Sequence, residues 1–228
     1  MTGKDESVKI VLFGDSITEM GGGKRDTNQD IWTYGVGYPI IVASDLYRES
    51  PVKYRVMNRG VSGNKSVDLY ARIKPDVWNE KPDVLSILVG VNDVWHDIWG
   101  CGVELKRYEK VYSMMIEETL EHLPDITIML CEPFFLHGAV PDENYEKFSA
   151  IFGYAKIVKT LAEKYDLLFL PLQEKFNEAA QRFGEEKYLY DGVHPTVAGA
   201  TLIADAWLKL YRENRKKGIM RYEYSGLR

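Results

Sequence analysis

Five short apolar runs, at 8–13, 54–58, 84–89, 126–130 and 167–170, constrain this chain more than any other feature. Each is nearly continuous rather than alternating, the pattern of a parallel strand covered on both faces. Longer amphipathic stretches lie between them at 38–49, 67–79, 105–123 and 145–164, and a last one covers 197–212. Pro124 stops the third stretch just before the fourth run. Strand and helix in turn predict an α/β fold, with a parallel sheet, right-handed crossovers and helices on both faces. The 228 residues allow one domain or two. No repeat, low-complexity tract or Ser/Pro-rich linker divides them, so a single domain over 1–228 is the simplest reading.

Composition narrows the function classes. The net charge is −5, and 28% of residues are charged. A general nucleic-acid binder carries a basic excess that displaces counterions from phosphates, so no nucleic-acid partner is expected. The one basic run, Arg212, Arg215, Lys216, Lys217 and Arg221, reads as a solvated helix end. Cys101 and Cys131 have no CxxC or Cys/His ligand spacing, so neither a zinc site nor a disulfide framework is expected. No segment approaches the roughly 18 apolar residues of a membrane span. Residues 1–7 are polar, without the apolar core of a signal peptide. A cytoplasmic protein with no membrane partner is the expectation.

Ligands of open α/β sheets bind beyond the carboxyl ends of the strands. The chemically unusual residues stand there. Gly14-Asp15-Ser16-Ile17-Thr18 follows the first run, and Asn58-Arg59-Gly60-Val61-Ser62-Gly63-Asn64 the second. Gly90-Val91-Asn92-Asp93 follows the third, and Asp191-Gly192-Val193-His194-Pro195 stands near the C-terminus. Each alone is ordinary turn or cap chemistry. Together they meet the needs of acyl transfer: a nucleophile, a base, a group that orients the base, and donors for the oxyanion. Ser16 offers a hydroxyl at a strand-to-helix turn. His194 is a base able to work near neutral pH. Asp191, three residues earlier, can hold the imidazole in one tautomer. The Ser16 and Gly60 amides and the Asn92 side chain are the expected oxyanion donors.

This set, in this order, resembles the SGNH (GDSL-type) hydrolases over essentially the whole chain. The resemblance implies a flavodoxin-like three-layer α/β/α sandwich with a five-stranded parallel sheet. It implies ester hydrolysis through an acyl-serine, with no metal or organic cofactor. It makes Ser16 the nucleophile, Asp191 and His194 the other triad members, and Gly60 and Asn92 oxyanion donors. A narrower likeness rests on Gly90-Val91-Asn92-Asp93-Val94-Trp95, Glu132-Pro133-Phe134-Phe135 and Val193-His194-Pro195-Thr196-Val197-Ala198-Gly199. These are similar to intracellular carbohydrate acetylesterases that act on xylo-oligosaccharides and tend to be homo-oligomers. A small-molecule acyl ester, with an acetylated sugar preferred, is the implied substrate. A lysophospholipase or thioesterase of the same family is the alternative. A non-catalytic flavodoxin-like binding module is the alternative of another class.

Several residues fall outside those blocks. Asp15 reads as a turn carboxylate that steadies the Ser16 loop. Trp95 and Tyr190 are candidate substrate-binding aromatics, weighed against wedges that cover the sheet end. Adjacent His96 and Asp97 are poorly placed to share a metal, and His137 is a loop histidine. Gly21-Gly22-Gly23-Lys24 lacks the first glycine and the Ser/Thr of a phosphate loop, since Thr18 and Arg25 hold those places. Gly35-Val36-Gly37-Tyr38-Pro39-Ile40 lacks the last glycine of a dinucleotide fingerprint. The Gly-rich stretch over 19–33 is expected to pack near the site or move over it.

Overall fold

The computed structural model describes residues 7–22 and 30–216. Gly23, Lys24 and Arg25 of the Gly-rich stretch, residues 1–6, and Lys217 and Arg221 of the basic run lie outside the described residues.

The apolar runs form five parallel strands: β1 (Val8–Gly14), β2 (Tyr54–Gly60), β3 (Val84–Leu88), β4 (Thr127–Cys131) and β5 (Leu168–Leu170). Their spatial order is β2-β1-β3-β4-β5, so the chain winds outward one way from β1 and then the other. Helices line both sides. In chain order they are α1 (Ser16–Glu19), α2 (Tyr38–Glu49), α3 (Ser66–Ile73), α4 (Val91–Trp95), α5 (Leu105–His122), α6 (Ala139–Glu143), α7 (Tyr145–Phe148), α8 (Ile151–Lys164), α9 (Gln173–Phe183) and α10 (Val197–Lys216). Helices α2 and α10 pack on each other on one side, and α3, α5 and α8 pack side by side. Buried apolar side chains from Ile10 to Tyr211 make one contiguous core. Among the described residues no helix is long and apolar enough to cross a membrane.

Where the elements differ from expectation, local hydrogen bonding explains it. Strand β2 runs on through Asn58, Arg59 and Gly60, which pair with Leu12, Phe13 and Gly14 of β1. Apolar periodicity ends at Asn58 because two polar side chains are buried there, each with partners. Asn58 Nδ2 donates to Thr18 O at 2.8 Å and Tyr34 O at 2.9 Å, and Arg59 pairs with Glu80 at 2.8 Å. The stretch expected as one helix over 145–164 is two, α7 and α8. Between them Ser149 Oγ donates back to Glu146 O, a local bond that competes with helix continuation. The stretch over 67–79 ends as α-helix at Ile73 and closes with a π-helical turn at Lys74–Trp78, entered through Pro75. Helix α9 had no expectation, because only Phe176 and Ala180 of its face are buried.

The reversal of strand order lies between β1 and β3. Ser16 follows the end of β1 and Asn92 the end of β3, so both stand at the crevice that this topology opens.

Candidate active site

Asp15 begins the site. Its Oδ1 caps α1 by accepting the Ile17 N–H at 3.0 Å, which fixes the turn that carries Ser16. Burial pushes the Asp15 carboxyl up to about 7, against the Ile17 amide and the nearby His194. Its Oδ2 has no partner among the described residues. The turn-carboxylate reading fits this placement.

The loop between Leu189 and Pro195, closed by an antiparallel bridge between those two residues, brings His194 to Ser16. His194 Nε2 lies 2.9 Å from Ser16 Oγ. His194 Nδ1 lies 2.7 Å from Asp191 Oδ2. The other oxygen, Asp191 Oδ1, accepts the backbone N–H groups of Val193 at 2.9 Å and His194 at 2.7 Å. Partial burial works against the ionised Asp191, but the His194 ring and these two amides outweigh it and hold the carboxyl below its ordinary range. An ionised Asp191 accepts from Nδ1–H and leaves Nε2 open to accept from the Ser16 hydroxyl. The Asp191 hydrogen bond, opposed by burial, raises His194 above its ordinary value.

The expected oxyanion donors divide. The Ser16 N–H starts α1 and finds no acceptor among the described residues. Asn92 is 3% exposed, and its Nδ2 gives one hydrogen to Asn64 O at 3.0 Å, leaving the second. Gly60 departs from expectation. Its N–H donates to Asn58 Oδ1 at 2.8 Å, and a Cβ there would overlap the backbone of Glu19 in α1. Its glycine is required by that close approach, and its amide is already committed. Three residues on, Gly63 has φ +76° and an N–H without an acceptor among the described residues. The nearest atom to a Cβ at that position is His96 Cε1 at 3.9 Å, an ordinary contact.

Three further residues support the site from beneath. Arg72 of α3 donates from Nη2 to Gly14 O at 2.9 Å, from Nη1 to Arg59 O at 2.9 Å, and from Nε to Asn64 Oδ1 at 2.7 Å. Its guanidinium lies over the Phe13 ring and also pairs with Asp76 at 2.6 Å. One side chain thus ties the peptide before Asp15 to the end of β2 and to Asn64, whose carbonyl holds Asn92. On the other flank, Asp93 accepts from the Ser66 hydroxyl at 2.5 Å and the Ser66 N–H at 3.0 Å, pinning α3 to α4. Burial pushes Asp93 up to about 7, against those Ser66 bonds. Sequence carried no sign of Arg72, since an arginine in an amphipathic stretch reads as a solvated one. A sign of Gly63 was present, a second glycine beyond the strand in the same block.

The aromatic candidates sit at the rim. Trp95 is half-buried, with its ring 6.0 Å from the His194 ring. Tyr190 stacks on His194 at 5.7 Å and 16° while remaining 60% exposed. His137 lies outside this group, paired with Asp142 and stacked on Tyr145. Among the described residues, no three His, Cys, Asp or Glu side chains are gathered as a metal ion would need.

The chain as a whole is similar to known proteins. The pattern of the GDSL-like Lipase/Acylhydrolase family matches residues 12–202. An acetylxylan esterase from Geobacillus stearothermophilus is 33% identical over 207 residues, 88% of this chain and 92% of the relative. A solved structure of a catalytic mutant of Axe2, an acetylxylan esterase from the same organism, superposes with a TM-score of 0.80 at 32% identity, covering 96% of this chain and 97% of that one. A structure from Parabacteroides merdae, whose name likens it to the GDSL lipases, gives a TM-score of 0.83 at 33% identity over 90% of this chain and 95% of its own.

Proposed function

The chain belongs to the GDSL-like lipase/acylhydrolase family and is a carboxylic ester hydrolase, and on that premise we propose that it removes acetyl groups from acetylated xylo-oligosaccharides through an acyl-serine at Ser16. The relay from Ser16 Oγ through His194 to Asp191, at 2.9 and 2.7 Å, is the observation that carries this reading. Likeness to the Geobacillus acetylxylan esterase supports the acetyl group and the sugar.

In this mechanism Ser16 Oγ attacks the ester carbonyl carbon as its proton passes to His194 Nε2. The oxyanion takes hydrogen bonds from the Ser16 N–H, the second Asn92 Nδ2 hydrogen and the Gly63 N–H, which replaces Gly60 as the third donor. His194 returns the proton to the departing sugar oxygen. A water then attacks the acyl carbon, giving its proton to His194. Ser16 leaves as His194 protonates it, and acetate is released. Asp191 keeps the imidazole in one tautomer and stabilises the imidazolium formed in each step. Trp95 and Tyr190 flank the His194 ring and are assigned to the substrate.

These groups come from positions as far apart as 16 and 194, so the proposed catalytic unit is the single domain over 1–228. We further propose that the enzyme is a homo-oligomer. Exposed Ile31, Trp32 and Val36 are close in sequence and suit an assembly face.

Fluorophosphonate labelling followed by mass spectrometry tests the nucleophile, with an adduct on Ser16 expected. No labelling of the folded protein would favour a binding module. Nitrophenyl esters of increasing chain length test the acyl group. Activity should peak at acetate, and a peak at long chains would instead identify a lysophospholipase or thioesterase.

A further inference from the structure

The residues after β3 form a stripe. Helix α4 ends at Trp95 and continues as a 3₁₀ turn over His96–Trp99. Asn92, Trp95, His96 and Trp99 stand at i, i+3, i+4 and i+7, the spacing that puts side chains on one helical face. Exposure rises along it. Asn92 is buried, Trp95 and His96 are half-buried, and Trp99 is 64% exposed. The rings touch in sequence. Trp95 lies 6.0 Å from His194 on one side and stacks on Trp99 at 6.3 Å and 30° on the other. His96 braces Trp99 at 5.4 Å. Its ring nitrogens have no hydrogen-bond partner among the described residues, and its Cε1 lies beside Gly63.

A lone exposed tryptophan needs no explanation. Trp99 is different because it is ordered by two aromatic neighbours and joined by them to the candidate base. Any alcohol leaving from an ester at Ser16 takes its proton from His194, whose ring Tyr190 and Trp95 flank, and on the Trp95 side the aromatic surface continues to Trp99. A flat apolar ring beside a polar nitrogen matches a pyranose, which has C–H groups on one face and hydroxyls at its edge.

We propose that Trp95, His96 and Trp99 form a glycosyl subsite, where the sugar next to the acetylated one stacks on Trp99 and offers a hydroxyl to His96. This rests on the acetylated-oligosaccharide reading given above. It turns a deacetylase for any acetylated sugar into one that prefers chains of two or more units.

The test compares kcat/KM for a monoacetylated xylose and a monoacetylated xylotriose in the wild type, Trp99→Ala and Trp99→Phe. Trp99→Ala should lower the trisaccharide-to-monosaccharide ratio roughly fivefold to tenfold, the scale of one stacking contact. Trp99→Phe should keep most of the ratio. An unchanged ratio in Trp99→Ala overturns the subsite and leaves the deacetylase reading intact. Equal losses on both sugars, with a lower mass by light scattering, also overturn it by making Trp99 an assembly residue. A wild type that cleaves nitrophenyl acetate but neither sugar overturns the substrate class and the subsite together. Should Trp99→Ala fail to fold, tryptophan fluorescence titrated with unacetylated xylotriose reads the same ring. Quenching that is lost in Trp99→Phe supports the subsite, and no quenching in the wild type overturns it.

Discussion

The floor and the rim of the site are built on opposite principles. On the floor, Asp15, Asn92 and Asp93 are buried and bonded to Ile17 N–H, Asn64 O and Ser66, while Arg72 ties the ends of β1 and β2 together, through hydrogen bonds of 2.5 to 3.0 Å. At the rim, the side chains of Trp99 and Tyr190 are mostly exposed and rest on ring contacts. A buried polar network has few alternative arrangements, because each lost partner leaves a costly unpaired group. Such a network suits donors that must be preorganised before charge develops. Ring contacts are weaker and less directional, which suits substrates that vary in length. The floor should therefore govern kcat for every ester, and the rim should govern which ester is taken.

The strongest break of that division is Ser16→Ala. It should abolish the fluorophosphonate adduct and lower kcat by at least about 10⁴-fold on all esters. Retained hydrolysis at wild-type rate would remove Ser16 from the mechanism. Next comes Asn92→Ala, with a loss of about 10²–10³ in kcat and little change in KM, read by steady-state kinetics on nitrophenyl acetate. If KM rises instead, Asn92 belongs to binding rather than to the oxyanion.

Arg72→Met sharpens the comparison, because it keeps the apolar stem while removing the donors. Misplacing the Ser16 and Asn92 backbones should cost up to about 10²-fold in kcat. The ratio between sugar substrates should stay constant, as expected of a floor residue. A fall confined to one substrate would assign Arg72 to the rim. Arg72→Lys should recover only part of the loss, since one ammonium cannot replace a planar fork reaching four acceptors.

The smallest effect is on folding stability, read against activity across pH. His194 acts as a base only when neutral, and Asp191 holds its pKa above the ordinary value of about 6.5. So kcat/KM should be full at higher pH and fall on acidification through that raised pKa. Folding responds with the opposite sign. The raised His194 pKa contributes stability that is full below about 6.5 and is lost as pH rises through the folded value. Thermal melts over the same range should therefore show no His194-linked loss of stability in the acid that silences the enzyme. Parallel loss of both would mean that unfolding, not protonation, ends activity.

Legibility in the sequence followed from how local each signal was. The strands were readable because a strand covered on both faces must be apolar throughout, as Ile10 to Phe13 are. Ser16, Asp191 and His194 stood out as candidates because they sit at a strand-to-helix turn or in a loop, where unusual side chains owe little to packing and call for a chemical reason. Gly60 misled because two glycines stand in one block and a sequence cannot show where an amide points. Strand pairing carries β2 through Gly60 and turns its N–H to Asn58, leaving Gly63 as the open amide. Arg72 was invisible because, apart from Asp76 four residues on, its acceptors Gly14 O, Arg59 O and Asn64 Oδ1 are brought to it by the fold.

The parallel α/β class and the choice of Ser16, Asp191 and His194 as candidate reacting side chains followed from the sequence alone. Those depend on residue type and spacing, which are properties of the chain. Only the tertiary structure decided which amides face the crevice, which arginine braces it, and that Asn92 and Trp99 share one rising face. Those depend on directions of N–H bonds and ring planes. Such directions are fixed only when strands 40 or more residues apart in the chain, as Gly14 and Gly60 are, come into register.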